Sequence, residues 1–118
     1  MRKMASILSA VALSVGLCAA TSGVAEAGPE NYHGDVPIAV WERLADCESG
    51  RRWYINTGNG YYGGVQISER TWDGYGGKRY ARYPHRAGKY LQMNIADQIQ
   101  KGQGWNAWPT CSHEAGIR

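Results

Sequence analysis

Trp41-Glu42-Arg43-Leu44-Ala45-Asp46-Cys47-Glu48-Ser49-Gly50, continued by Arg51-Arg52-Trp53-Tyr54-Ile55-Asn56-Thr57-Gly58-Asn59-Gly60-Tyr61-Tyr62-Gly63-Gly64-Val65-Gln66, is the stretch that decides the fold of this chain. Its first half has helical spacing. Trp41, Leu44, Ala45 and Glu48 fall at i, i+3, i+4 and i+7 and so share one face. Asp35 is suited to cap that helix, Pro37 to sit in its first turn and Gly50 to stop it, which predicts a helix over about 36–49. The second half is turn chemistry. Asn56-Thr57-Gly58-Asn59-Gly60 is followed by a run, 61–67, that suits a short strand or hairpin arm. A glutamate thus closes an apolar stripe where a helix gives way to a glycine-rich turn.

Outward from this stretch the pattern stays local. Ser68 is placed to cap a short helix through about Gly74. The segment 76–84 reads as irregular loop, with Tyr75, Tyr80 and Tyr83 along it. Leu91, Ile95 and Ile99 repeat every four residues and predict a third helix, ended by Gly102 and Gly104. Residues 105–111 read as a tail, and 28–34 as a flexible leader. The expectation is a small α+β domain with three main helices and a short glycine-rich hairpin region.

Composition narrows the class. The chain has 118 residues, 43% hydrophobic and 19% charged, which allows one small domain. No apolar run reaches the roughly 20 residues of a bilayer span, and no internal repeat is present. Sixteen Gly without a triplet period exclude collagen. Five Trp and eight Tyr with no Phe mean that every ring carries a polar handle. Such rings suit either a compact core or a surface that is both stacked upon and wetted. A net charge of +3 is too mild for a nucleic-acid footprint, so no nucleic-acid partner is expected; it would not repel an anionic polymer.

Residues 1–27 read as a secretory signal. Arg2 and Lys3 precede an apolar run, 5–20, and Ala25-Glu26-Ala27 forms a cleavage signature before Gly28. Its removal would leave no stable membrane insertion. It would also remove Cys18, leaving Cys47 and Cys111 in an oxidising compartment with one possible pairing. Closing a loop of about 65 residues is worth roughly 4 kcal/mol in the chain-entropy model. As metal ligands the two cysteines lack histidines at zinc spacing, since His33, His85 and His113 are scattered; no metal or cofactor is expected.

Glu48 is the candidate for chemistry. A place on the core stripe and the negative end of the helix dipole both favour its protonated form. Arg51 and Arg52 would oppose this if their guanidinium groups turned towards it, so side-chain direction decides the balance. A carboxyl kept protonated near neutral pH is what a general acid requires. The plainer role is a salt-bridged glutamate at a helix end.

The string 41–66 resembles the resuscitation-promoting factor domain, and the likeness runs on through Ser68, Thr71-Trp72, Gly76-Gly77, Tyr80-Ala81 and Gln103-Gly104-Trp105-Asn106-Ala107-Trp108-Pro109-Thr110-Cys111-Ser112. The resemblance places the catalytic domain at 41–112, with 28–40 as leader and start of the first helix and 113–118 as a tail. It implies a lysozyme-like fold, secretion, and cleavage of peptidoglycan glycan strands at the MurNAc–GlcNAc bond. It also implies roles: Glu48 as catalytic acid, Gln66 and Thr71 along the glycan groove, and a Cys47–Cys111 disulfide. Asn59 and Tyr61 either line the groove or hold the turn, and Trp53 and Trp72 either stack sugars or pack the core. Glu42, Asp46, Glu69, Asp73 and Asp97 read as surface charges. A peptidoglycan endopeptidase is an expected partner because the family uses one.

The sequence departs from the family at Arg51-Arg52, which stands in place of Gly-Asn, at Val65 and Ile67, and across 88–93. No wall-binding repeat follows, so a diffusible enzyme is expected. The reading from another class is a catalytically silent peptidoglycan-binding, growth-signalling module using the same groove.

Overall fold

The first helix, α1 (Ile38–Ser49), buries Trp41, Leu44 and Ala45 completely, and Gly50 ends it in the left-handed conformation at φ 66°. Glycine reaches that conformation without the Cβ clash that other residues meet. A computed structural model describes residues 28–118; the segment 1–27, read as a secretory signal, lies outside the described residues. After α1 come a two-stranded antiparallel hairpin, β1 (Tyr61–Tyr62) and β2 (Ile67–Ser68), and a short helix, α2 (Glu69–Gly74). Two 3-10 turns, Gly77–Arg79 and Pro84–Arg86, lead to α3 (Lys89–Gln103). A further 3-10 turn, Gly104–Ala107, leads to α4 (Pro109–Glu114). The chain is a small α+β, lysozyme-like domain, and none of its described helices is long and apolar enough to cross a membrane.

Ser68 caps α2 as expected, accepting the Thr71 N–H at 3.2 Å. Trp72 belongs to the core. It is fully buried, and its indole N–H donates to the Ala81 carbonyl at 2.8 Å, so it offers no face to a ligand. The core continues through Met93, Ile95, Ala96 and Ile99 of α3. Trp41, Trp105 and Trp108 form a cluster with centroids 5.3 to 5.9 Å apart, in the tilted and edge-on arrangements that aromatic quadrupoles favour. Cys47 and Cys111 are bonded, joining α1 to α4 across a separation of 64 residues.

Six expectations are corrected. Asp35 does not cap α1; Pro37 occupies that position, while the Asp35 carboxylate pairs with Lys101 at 2.9 Å. Segment 28–34 is tethered rather than a free leader. The His33 N–H donates to Asn94 Oδ1 at 2.7 Å, and Asn94 Nδ2 donates to the Asn31 carbonyl at 2.8 Å. The tail contains a fourth helix, because Pro109 at its first turn has a φ already suited to helix and needs no N–H partner there. Gly102 lies inside α3, and Gly104 alone ends it.

Asp97 is the fifth, since it is buried rather than a surface charge. Its carboxylate accepts from the backbone N–H groups of Asp35 (3.1 Å) and Val36 (3.0 Å) and pairs with Lys101 at 2.6 Å. Burial pushes this carboxyl up, but the Lys101 ammonium and the two N–H donors outweigh burial and hold it below the usual range. Asp97 therefore pins the entry to α1 onto α3. Glu42, also expected at the surface, is half-buried; it accepts from Lys89 at 2.7 Å and from the Trp53 indole at 3.3 Å.

Candidate active site

Glu48 is the penultimate residue of α1, and the buried Trp41-Leu44-Ala45 stripe fixes the helix that carries it. Each large apolar side chain so buried contributes about 1.5–3 kcal/mol, which makes this helix end a rigid platform. The next residue extends the platform. The Ser49 hydroxyl is buried and donates to the Gly64 carbonyl at 2.8 Å, tying the end of α1 to the turn of the hairpin. At Gly64 a Cβ would overlap the Trp53 indole, so only glycine allows the hairpin to close this far down.

Gln92 completes the support from α3. Its fully buried amide donates to the carbonyls of Trp53 and Ala87, both at 2.8 Å, and accepts the Gly64 N–H at 3.1 Å. Trp108 donates its indole N–H to the Val65 carbonyl at 2.8 Å. Tyr62 stacks on His85 with centroids 5.3 Å apart, holding the outer arm of the hairpin against the 84–86 turn.

Between this hairpin and α4 runs a groove. Its larger part, about 370 Å³, is lined by Glu48, Asn59, Tyr61, Gln66, Trp108 and Thr110, with Cys111 at its wall. A narrower part of about 70 Å³ continues past Ser68, Thr71 and Gln103, and the two share Tyr61, Gln66, Ala107 and Trp108. Of the residues assigned to the site by sequence, Glu48, Asn59, Tyr61, Gln66 and Thr71 thus come together along one groove, and Trp72 does not. Sequence reading missed Ser49, Gln92 and Thr110. A glutamine one residue after Leu91, on an otherwise apolar helical repeat, was the available signal for Gln92.

Side-chain direction settles the electrostatics of Glu48. Arg52 turns back to the helix end, its Nε donating to the Ser49 carbonyl at 2.7 Å. Arg51 reaches the Glu42 carbonyl at 3.3 Å and lies 3.9 Å from Asp46. Neither meets Glu48, which among the described residues has no hydrogen-bond or ion-pair partner. Burial alone then acts, and it pushes the Glu48 carboxyl above its ordinary value of 4.5.

Gln66 sits opposite in an uncommon backbone state, with φ 58°. A left-handed non-glycine residue costs roughly 1–2 kcal/mol and persists only where its surroundings over-determine it. Here Gln66 Nε2 donates to the Gly63 carbonyl at 3.1 Å, and Asn59 Nδ2 reaches Gln66 Oε1 at 3.5 Å. Asn59 Oδ1 also accepts the Tyr61 N–H at 3.0 Å, so Asn59 both holds the turn and faces the groove.

Among the described residues, Glu48 is the one carboxyl lining this groove. Asp46 faces a separate hollow with Arg43 and Glu114, and Asp97 is buried against the α1 entry. The described residues hold no cluster of three His, Cys, Asp or Glu side chains. The arrangement is therefore one protonatable carboxyl facing a polar, aromatic-walled groove.

Residues 36–111 match the family described as transglycosylase-like domain. Over 81 residues the chain is 51% identical to resuscitation-promoting factor Rpf1 of Corynebacterium glutamicum, covering 69% of this chain and 42% of that protein. It is 40% identical to resuscitation-promoting factor Rpf of Micrococcus luteus, covering 98% of this chain and 47% of that one. Against resuscitation-promoting factor RpfC of Mycobacterium tuberculosis it is 36% identical, covering 99% of this chain and 79% of the relative. The chain spans less than half the length of the Corynebacterium and Micrococcus relatives.

Proposed function

We propose a function from one premise: the chain belongs to the transglycosylase-like domain family, among the resuscitation-promoting factors. It is a muralytic glycosidase that cleaves the MurNAc–GlcNAc bond of peptidoglycan glycan strands, remodelling the wall and promoting the resumption of growth. The observation that carries this reading is the half-buried Glu48 carboxyl, free of cationic partners among the described residues and facing the groove.

Glu48 in its neutral form donates its proton to the glycosidic oxygen as the C1–O bond breaks. Many glycosidases use a second carboxylate about 5 Å away when retaining, or about 6.5–9.5 Å away when inverting. In this groove the substrate's own 2-acetamido oxygen takes that part and stabilises C1. Ionised Glu48 then removes a proton from the MurNAc 6-hydroxyl, giving a 1,6-anhydro product, or from water, giving a hydrolysed one. Gln66, Asn59 and Thr71 orient the sugar through their amides and hydroxyl, and Tyr61, half exposed at the rim, limits the entry of water.

The protein acts outside the cell, released or associated with the wall after loss of residues 1–27, and alongside a peptidoglycan endopeptidase. Mass spectrometry of fragments released from purified sacculi tests the activity. Muropeptides from the wild-type chain and none from Glu48→Gln are expected. A wild-type chain that binds sacculi and releases nothing would identify a silent binding module instead.

A further inference from the structure

A second hollow is formed largely by the loop that follows α1 and shares no lining residue with the groove. It is broad, about 630 Å³, and is formed by Arg51, Arg52, Trp53, Tyr54, Ile55 and Lys89. Its floor is mostly apolar and its rim is cationic. Tyr54 stands 53% exposed at its edge; among the described residues the only other large hydrophobic side chain so exposed is Tyr61, in the groove.

The three cations differ in what already answers them. Lys89 is paired with Glu42 at 2.7 Å, and Arg51 lies 3.9 Å from Asp46. Arg52 has no carboxylate within 4.0 Å among the described residues. Its Nε is committed to the Ser49 carbonyl at 2.7 Å, which restrains the guanidinium, and neither η nitrogen has a hydrogen-bond partner among the described residues. A guanidinium held in this way has little rotamer freedom left to lose when it binds a carboxylate. Arg51 adds a second exposed guanidinium beside it, held in place by a left-handed backbone at φ 61°.

We infer that the Arg51–Arg52–Tyr54 hollow is a peptide subsite, which takes the acidic stem peptide carried by the glycan strand. This rests on the peptidoglycan reading above. A stem peptide offers free carboxylates for the two guanidinium groups and methyl and methylene groups for the Trp53-Tyr54-Ile55 floor. The reach is right: Arg51 is three residues from Glu48, within about 11 Å along the backbone, and the peptide projects from the sugar next to the scissile bond.

Two measurements on the oxidised, secreted protein test it. The first titrates ¹⁵N-labelled protein with a synthetic stem peptide that begins with alanine and a γ-linked glutamate. Shifts confined to the Arg51–Ile55 amides and the Trp53 indole N–H are expected, and Tyr54→Ala, which removes an exposed ring, weakens them. The second compares cleavage of intact glycan strands with cleavage of strands stripped of peptide by an amidase. Arg51→Gln/Arg52→Gln is expected to lose about five- to tenfold on peptide-bearing strands and less than about twofold on stripped ones, as for the loss of charge-assisted contacts at an exposed site. Equal losses on both strands, no shifts with the peptide, or the same shifts produced only by a polyphosphate would each overturn the subsite. Wild-type protein that binds the peptide but cleaves neither strand would uphold the subsite while removing the glycosidase reading.

Discussion

The Ser49 hydroxyl donates to the Gly64 carbonyl at 2.8 Å, so the residue after Glu48 is bonded directly to the hairpin that forms the opposite wall of the groove. Glu48 and this wall thus share one short buried linkage. Removing one partner of a buried hydrogen bond costs about 1–3 kcal/mol, so Ser49→Ala should lower the urea midpoint of unfolding and raise KM more than it lowers kcat.

Glu48→Gln should abolish detectable lysis, since positioned acid–base catalysis contributes roughly 10²–10⁴-fold. Asp46→Asn and Asp73→Asn, both at exposed positions, should change the rate little. Turbidity loss of sacculi is the assay, with near-ultraviolet circular dichroism to show that each variant is folded. Substantial activity in Glu48→Gln would rule out a single-carboxyl mechanism.

The same substitution should have a characteristic effect on stability. Burial raises the folded Glu48 carboxyl above its unfolded value of 4.5. The stability associated with this group is therefore full below 4.5 and is lost as pH rises through the folded value. Glu48→Gln should accordingly be at least as stable as wild type at pH 7, with the difference closing below 4.5, in thermal melts across that range. Activity needing the neutral acid should fall over the same interval as pH rises.

Asp97→Ala should cost about 3–5 kcal/mol, the range for breaking a buried ion pair. Its pH signature is opposite to that of Glu48. The folded Asp97 carboxyl lies below its unfolded value of 3.8, so its contribution is present above 3.8 and is lost as pH falls through the folded value. The gap between wild type and Asp97→Ala, measured by urea unfolding, should narrow in acid.

Reduction, or Cys47→Ser with Cys111→Ser, should cost roughly 4 kcal/mol in the chain-entropy model for a loop of this length. Because Cys111 lines the groove and Cys47 precedes Glu48, lysis should fall with stability. Free thiols in the purified, unreduced protein would show that the bond does not form.

Arg51→Gly should stabilise the fold by about 0.5–1 kcal/mol, the difference between a left-handed non-glycine residue and glycine's greater unfolded freedom. Arg51 sits at φ 61°, and its exposed pair with Asp46 at 3.9 Å offsets little of that strain. The shift in urea midpoint is the measure.

Local chemistry made much of this molecule legible in advance. Trp41, Leu44 and Ala45 carry helical spacing, Gly50 a stop, Ser68 a cap, and each acts on neighbours within one turn. The groove residues Glu48, Gln66 and Thr71 were legible through a resemblance to a family, and their convergence is now seen. Asp97 and Gln92 were not legible, because each is drawn inward by a distant backbone N–H, that of Val36 at a separation of 61 residues and that of Gly64 at 28. A polar side chain looks the same in sequence whether it meets water or a distant N–H. Trp72 failed for a related reason: an indole suits a sugar or a core equally, and only the Ala81 carbonyl distinguishes them.

Each strand of the hairpin is two residues long, too short to hold a fold of its own. Its order is supplied by the Gln92 amide, from α3, and the Trp108 indole, from the residue just before α4. Fraying of that wall is then not a local event. The Gly64 amide should exchange its hydrogen with solvent only as slowly as the α3 core opens, so the groove keeps its shape until the whole domain gives way.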